Sequence, residues 1–319
     1  MVSKQNGYRN RIIFLASVIG IIALLHYVTP TEPHYYHSIH IVLRKLYFLP
    51  PVIAAAWFGL RGAIITTTVV SILFSAHALL DWPGNYMEQA NQLGELAGFW
   101  VIGLIPGWLF DRQRSLLQDL ANANEETLVG LVSALDLREH NTRLHSQRVR
   151  EYTELIADQL GIDEKMKREI GFGALLHDVG KIAVPDQILL KPGKLTDQEW
   201  GEMRKHPDAG YRIVKRIGFL KDAAEIVSAH HEKFDGSGYP RGLKGESIPL
   251  GARMFMVMDV YDSLTSERPY RSPIKYEEAA AEIKRHSGSH FDPVIVDTFM
   301  AIAPEKLQEI AGHYLDESR

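Results

Sequence analysis

The chain has 319 residues, 35 Lys+Arg against 39 Asp+Glu for a formal net charge of −4, and no cysteine. Its length suits two domains of ordinary size, and without a basic excess or a dense basic tail a nucleic-acid polymer is not an expected partner. The lack of cysteine excludes disulfides, thiolate nucleophiles, iron-sulfur clusters and cysteine zinc sites, so any metal must be held by nitrogen and oxygen.

The first third is apolar and poor in charge. Lys4, Arg9 and Arg11 precede an apolar run from Ile12 to Val28, close to the ~20 residues of a bilayer-spanning helix. Its start is that of a signal peptide, but no small-residue cleavage site follows, so it reads as a retained anchor in the lipid bilayer. Further segments run from Leu46 to Leu60, Ala63 to Leu80 and Leu93 to Phe110, giving four crossings as the simplest count. The second is short and contains Pro50-Pro51, so a re-entrant hairpin is an alternative. Basic residues at the amino end and at Arg112 and Arg114 place both ends in the cytoplasm. Arg61, in a tight turn from Gly59 to Gly62, fits an inside loop; Arg44 and Lys45 on the outer side fit less well. His26, His34, His37 and His40 gather about the first outer loop, where interfacial packing is the preferred reading over metal or proton sensing.

A polar connector follows. Leu117, Leu120, Leu128, Leu131 and Leu135 recur at helical spacing, with Asn124 on the same stripe. That pattern suits a parallel homodimer through the connector helix, or equally a helix packed on its own domain. The expected division is a membrane region over 1–110, a helical connector over 111–127 and a soluble domain over 128–319.

In the soluble part, Asn141 or Thr142 can cap a helix that runs to Leu160, with His145 one turn before Val149 on its inward face. Asp163 opens the next helix, on which Ile170, Ala174 and His177 share a face, and Gly180 reads as its C′ glycine. His177 and Asp178 then fall in the last turn, where the helix dipole favours a cation, and the two Asp178 oxygens can bridge ions. Lys181 just beyond can point at a phosphate oxygen. Thr196 and Glu199 form a capping box for a helix bearing Trp200, Met203 and His206, which Pro207 ends or bends at the histidine. Asp222 starts a helix whose apolar stripe ends on His230; His231 converges with it only near a frayed end, which the glycines of Asp235-Gly236-Ser237-Gly238-Tyr239-Pro240 supply. Asp259 and Asp262 sit among methionines on a helix from Leu250 to Ser266. An acid there is costly unless paired or metal-bound. Asp259 is the better ligand; Asp262 could orient a ligand histidine or a substrate group.

The series His177-Asp178-x-Gly-Lys181, His206, His230-His231-Glu232, Asp235-Gly236-x-Gly238-Tyr239-Pro240, Asp259-Val260-Tyr261-Asp262 and Arg268-Pro269-Tyr270-Arg271 closely resembles the HD-GYP family of cyclic di-GMP phosphodiesterases, a branch of the HD metal-dependent phosphohydrolases. The resemblance runs from about Glu126 to the carboxyl end and implies an all-α fold with iron or manganese ions. It implies one divalent ion on His145, His177, Asp178 and Asp259 and a second on Asp178, His206, His230 and His231. Arg268 and Arg271 match the residues that contact substrate phosphate, and Lys181 the lysine beside the scissile group. Members holding a third metal have a glutamate where this chain has Asn141, so two ions are expected. A bridging hydroxide would attack phosphorus in line, with charge on the phosphoryl oxygens stabilised by the ions and Lys181. The expected product is pGpG, or GMP after a second cut. The Gly238-Tyr239-Pro240 loop shapes the site or docks a partner protein, with base stacking by Tyr239 a weaker expectation. Rival readings are a phosphohydrolase acting on another nucleotide and a non-catalytic signalling receptor.

Overall fold

The structure, a computed structural model, describes residues 2–30, 35–81, 86–138, 144–267 and 272–315. Among them it is all-α: the β-type pairing consists of an isolated bridge between Ser287 and Phe291. The chain divides into two compact units, Met1–Ala123 and Asn124–Arg319.

The first unit contains α1 (Val2–Val28), α2 (Tyr35–Leu46), α3 (Leu49–Asp81) and the first part of α4 (Tyr86–Arg138). Three stretches, Asn6–Val28, Ser38–Leu79 and Ala90–Arg138, are long and apolar enough to cross a membrane by length and composition. The middle one takes in both the second and third apolar segments of the sequence, yet it is interrupted at Gly59, where φ is 66° and ψ −154°. Polar groups of α4 satisfy the two broken helix ends there. Leu60 N donates to Asp111 Oδ2 at 2.8 Å, and Arg114 donates to the Ala56 carbonyl. A Cβ at Gly59 would collide with the Asp111 carboxylate, so glycine is required twice over, for its backbone and for its lack of a side chain. Arg44 and Lys45, awkward for the sequence topology, are both paired with Glu95, at 3.7 and 2.8 Å. Ile22, Tyr47, Val70, Phe74 and Phe99 form the apolar centre of this unit.

The second unit contains the rest of α4, then α5 (His145–Gln159), α6 (Glu164–Leu175), the short α7 (Asp186–Leu189), α8 (Asp197–Met203), α9 (His206–Val214), α10 (Lys221–Ala229), α11 (Leu250–Thr265), α12 (Tyr276–Arg285), α13 (Pro293–Met300) and α14 (Pro304–Leu315). Asp163 caps α6 by accepting from Lys165 N and Met166 N, and Thr196 with Glu199 makes the reciprocal capping box at α8. Two apolar clusters hold the helices together. Val149, Tyr152, Ile156, Phe255, Met258 and Phe299 belong to the larger, which joins α5, α11 and α13. Leu128, Val132, Phe172, Leu175 and Val227 belong to the other, which seats the end of α4 on α6 and α10. Leu128 and Leu135 are therefore inward, while Leu117, Leu120 and Leu131 of the same stripe are exposed.

Candidate metal centre

Helix ends deliver the histidines and Asp178, and the body of one helix delivers Asp259. α6 closes at Leu175, so His177 and Asp178 lie just past it, in the turn leading to a 3₁₀ segment over Val179–Ala183. Gly180 is therefore not a left-handed C′ residue. Its glycine serves close approach: a Cβ would meet the His206 carbonyl and the Gly210 nitrogen, so the turn lies directly against the start of α9. Pro207 likewise occupies the first turn of α9 and does not close α8; proline is tolerated there because that N–H has no helical acceptor. His206 is thus presented by the beginning of one helix. His230 caps α10 and His231 follows it, which lets the two rings turn inward together, their centroids 4.1 Å apart. His145 opens α5 behind Leu144, a non-glycine residue held at φ 68°. Asp259 and Asp262 come from the body of α11.

These residues form two groups whose candidate ligand atoms lie within 4.8 Å of one another in each: Asp178 with His206, His230 and His231, and His145 with His177 and Asp259. Asp178 joins them. Its Oδ1 faces His206 Nε2 at 3.4 Å and His230 Nε2 at 3.9 Å, while Oδ2 lies 3.0 Å from His177 Nε2. Asp259 Oδ1 is 3.2 Å from His145 Nε2. Lys181 Nζ sits on Asp178 Oδ2 at 2.7 Å, at the edge of the donor set.

The far side of each ring fixes its orientation. His177, His206 and His230 place Nδ1 at 2.8, 2.8 and 2.6 Å from the carbonyls of Ala174, Met203 and Val227. A carbonyl only accepts, so each Nδ1 carries a proton, and in the neutral rings of His206 and His230, both held below the ordinary value first by burial, Nε2 presents a lone pair inward. His206 Nε2 and His230 Nε2 then face each other 3.1 Å apart, two lone pairs in contact. That repulsion is relieved by a cation between them, and the mixed imidazole and carboxylate set suits a borderline divalent ion. The residues fit a metal.

Electrostatics separates the two groups. Burial, then His231, holds His230 well below its ordinary value; burial, then His206, brings His231 down to about 4. Both rings are neutral at pH 7, the state in which imidazole ligates. Burial also opposes charge on His145, but Asp259 and Asp262 outweigh it and push the ring up to about 10. Burial would raise Asp178 too, and His177 and Lys181 more than reverse it.

Arg148 and Asp136 had no motif to announce them, whereas Asp262, Glu232, Gly238 and Tyr239 stand in the motif series. Arg148 and His145 share the fully buried Asp262. Glu232, also buried, accepts from Arg241 N and Leu243 N at 2.8 and 3.0 Å and pins the loop after His231. Asp136 near the end of α4 is buried and contacts Ser146. Tyr239 stacks on His231 with ring centroids 4.7 Å apart, and Gly238 lies too close to Glu232 and Lys233 backbone for any Cβ. Asn141, Arg268, Pro269, Tyr270 and Arg271 lie outside the described residues.

The chain is 40% identical over 208 residues to the cyclic di-GMP phosphodiesterase response regulator RpfG of Xanthomonas campestris, covering 65% of this chain and 55% of that one. It is 43% identical over 172 residues to a cyclic di-GMP phosphodiesterase of Thermotoga maritima, covering 53% and 47%. It is 40% identical over 188 residues to the 3′3′-cGAMP-specific phosphodiesterase 2 of Vibrio cholerae, covering 58% and 36%. The chain spans about half the length of the curated relatives it matches. The family model described as HD domain matches residues 117–295, more than half of the sequence, and the chain belongs to the HD domain family.

Proposed function

We propose that the chain is a membrane-anchored, metal-dependent phosphodiesterase of the HD-GYP branch that opens cyclic di-GMP to pGpG, with GMP as the product of a second cut. The observation that carries this reading is Asp178, a single carboxylate whose two oxygens address two histidine groups at once. His145, His177, Asp178 and Asp259 would hold one ion, and Asp178, His206, His230 and His231 the other, as iron or manganese; Asn141 in place of a glutamate favours two ions over three. Such a pair, when bound, supplies Lewis-acid polarisation of the phosphoryl group and activates water near neutral pH.

The chain's own groups do the rest. Lys181 brings a fixed positive charge to the mouth of the donor set, placed to move from Asp178 onto a non-bridging phosphoryl oxygen. Arg268 and Arg271 offer planar donor pairs for phosphate. Tyr239 backs His231, so the Gly238-Tyr239-Pro240 loop acts first by shaping the site, and its outer face is the place for a protein partner.

The membrane region over 1–110 would cross a bacterial inner membrane four times, followed by the connector over 111–127 and the catalytic domain over 128–319 in the cytoplasm. Three long apolar stretches support this, as do outward Leu24, Ile65, Ile72 and Leu79. Exposed Leu117, Leu120 and Leu131 support a homodimer through the connector.

The test is anaerobic purification, metal analysis, and assay against cyclic di-GMP, 3′3′-cGAMP, mononucleotides and guanosine tetraphosphate. The relative that is specific for 3′3′-cGAMP makes that dinucleotide the second reading. Hydrolysis of mononucleotides with both cyclic dinucleotides untouched would overturn the proposal, and binding without turnover would indicate a receptor.

A further inference from the structure

His26 on α1, His40 on α2 and His77 on α3 meet inside the first unit, all buried, and one ring nitrogen of each lies within 4.8 Å of the others. His26 stacks on His77 with ring centroids 3.8 Å apart, and His40 sits 5.1 Å from the first and 5.4 Å from the second. Backbone carbonyls orient two of the rings. His40 Nε2 lies 2.6 Å from the Thr29 oxygen, and His77 Nε2 lies 3.1 Å from the His26 oxygen. A carbonyl only accepts, so each of these Nε2 atoms carries a proton. Metal-ligating histidines are commonly held by such a bond on the second ring nitrogen.

His26 differs from both. It is 1% exposed, and among the described residues neither of its ring nitrogens has a hydrogen-bond partner. The buried Tyr47 hydroxyl is also without one, and its ring lies 5.5 Å from that of His26. Leaving a buried polar group unpaired costs on the order of 1–3 kcal/mol. A cation that accepts imidazole lone pairs removes part of that cost, and Glu95 already offsets the nearby positive charge of Arg44 and Lys45.

We propose that His26, His40 and His77 form a second metal site, for a divalent transition ion of the borderline class that prefers imidazole. Calcium and magnesium want oxygen ligands, whereas zinc, copper and nickel accept neutral imidazole. Three histidines with a fourth position open to water or Tyr47 is the arrangement of an exchangeable site. Zinc bonds of about 2.0–2.1 Å in tetrahedral geometry put ligand nitrogens roughly 3.4 Å apart, so the cluster must contract. The His26 ring, which no hydrogen bond restrains, can turn to do it. A bound ion would clamp α1, α2 and α3 together through side chains that are shared with no part of the Asp178 centre.

The test uses the full chain in lipid nanodiscs, stripped of metal, equilibrated with Zn²⁺ and counted for zinc per chain. His26→Gln and His77→Gln are each expected to lose one equivalent, while the double variant His177→Ala/Asp178→Ala keeps that equivalent and loses zinc elsewhere. Equal zinc in the unmodified chain and both glutamine variants would overturn the site. Should a glutamine variant lose helicity by circular dichroism, anomalous scattering at the zinc edge from the unmodified chain decides. A peak among the three rings supports the site, and peaks confined to the Asp178 centre overturn it.

Discussion

His145 Nδ1 lies 2.7 Å from Asp262 Oδ2, and Arg148 Nε holds the other oxygen of that carboxylate at 2.8 Å. Asp262 therefore holds the Nδ1 proton of His145 and orients the ring so that Nε2 faces Asp259, while Arg148 balances its charge in the core. Asp262→Asn keeps the shape but loses the anion, and should lower metal affinity and turnover about 10–100-fold. Asp262→Ala removes the buried carboxylate that Arg148 and His145 share and should cost about 3–5 kcal/mol of stability in denaturant unfolding. If both variants matched the unmodified protein in metal content and kcat, Asp262 would have no positioning role.

Much of this arrangement is written locally. The acid at Asp163 and the Thr196–Glu199 box mark helix starts because capping is a short-range hydrogen-bond problem. Among the donors, His145, His177, His206, His230 and Asp259 are marked by lying on the inward or apolar side of a helix, and Asp178 and His231 by standing next to one of them in the motif series. What the sequence hides is long-range. Gly180 and Pro207 both read as helix stops, since either residue does that work in most settings; here one permits two backbones to touch and the other begins a helix. Arg148, outside every motif, is tied to the site only by its buried partner Asp262. His77 stands alone in an apolar segment, and nothing in its neighbourhood connects it with His26.

Gly180→Ala gives a direct check on that close approach. The added methyl would meet the His206 carbonyl and the Gly210 nitrogen, so α9 and its histidine must shift. Overpacking of this kind costs about 1–3 kcal/mol, and the ligand shift should reduce bound metal per chain. An alanine variant with unchanged melting temperature and metal content would show that the contact is slack.

Tyr239 supports His231 through its ring, not its hydroxyl. Burial, then Asp178, pushes the phenol up to about 12, so it stays protonated in any ordinary assay. Tyr239→Phe should leave kcat within about twofold, and Tyr239→Ala should lower it by roughly an order of magnitude, in line with ~0.5–1.5 kcal/mol for an aromatic pair. Equal losses in both variants would instead point to the hydroxyl.

The metal-stripped second unit should be most stable near neutrality. His230 and His231 have folded values below the unfolded 6.5, so unfolded chains bind more protons as pH falls from 6.5 toward about 4. Stability is then lost on acidification, by up to about 1.4 kcal/mol per pH unit for each ring. His145 has the opposite sign: its stabilisation is fully present below 6.5 and lost as pH rises through about 10. Urea unfolding of a fragment from Asn124 onward, measured from pH 4 to 10, should give a dome. Addition of Mn²⁺ should raise it most where the rings are neutral. A flat profile below pH 6.5 would contradict buried, neutral His230 and His231.

The connector separates its two roles by exposure. Leu117 is 59% exposed and Leu128 7%, because Val132, Leu175 and Val227 join Leu128 in the second unit's core. The chain has no cysteine, so single substitutions can be cross-linked without altering any other position. Leu117→Cys and Leu120→Cys, oxidised in native membranes, should give a disulfide-linked dimer, whereas Leu128→Cys should stay monomeric because its side chain is committed to its own domain. Leu131→Cys tests how far the seam extends, since that residue is exposed on the turn after Leu128. Absence of dimer at both 117 and 120 would leave the connector without a partner helix, and a dimer at 128 would require the end of α4 to leave its core.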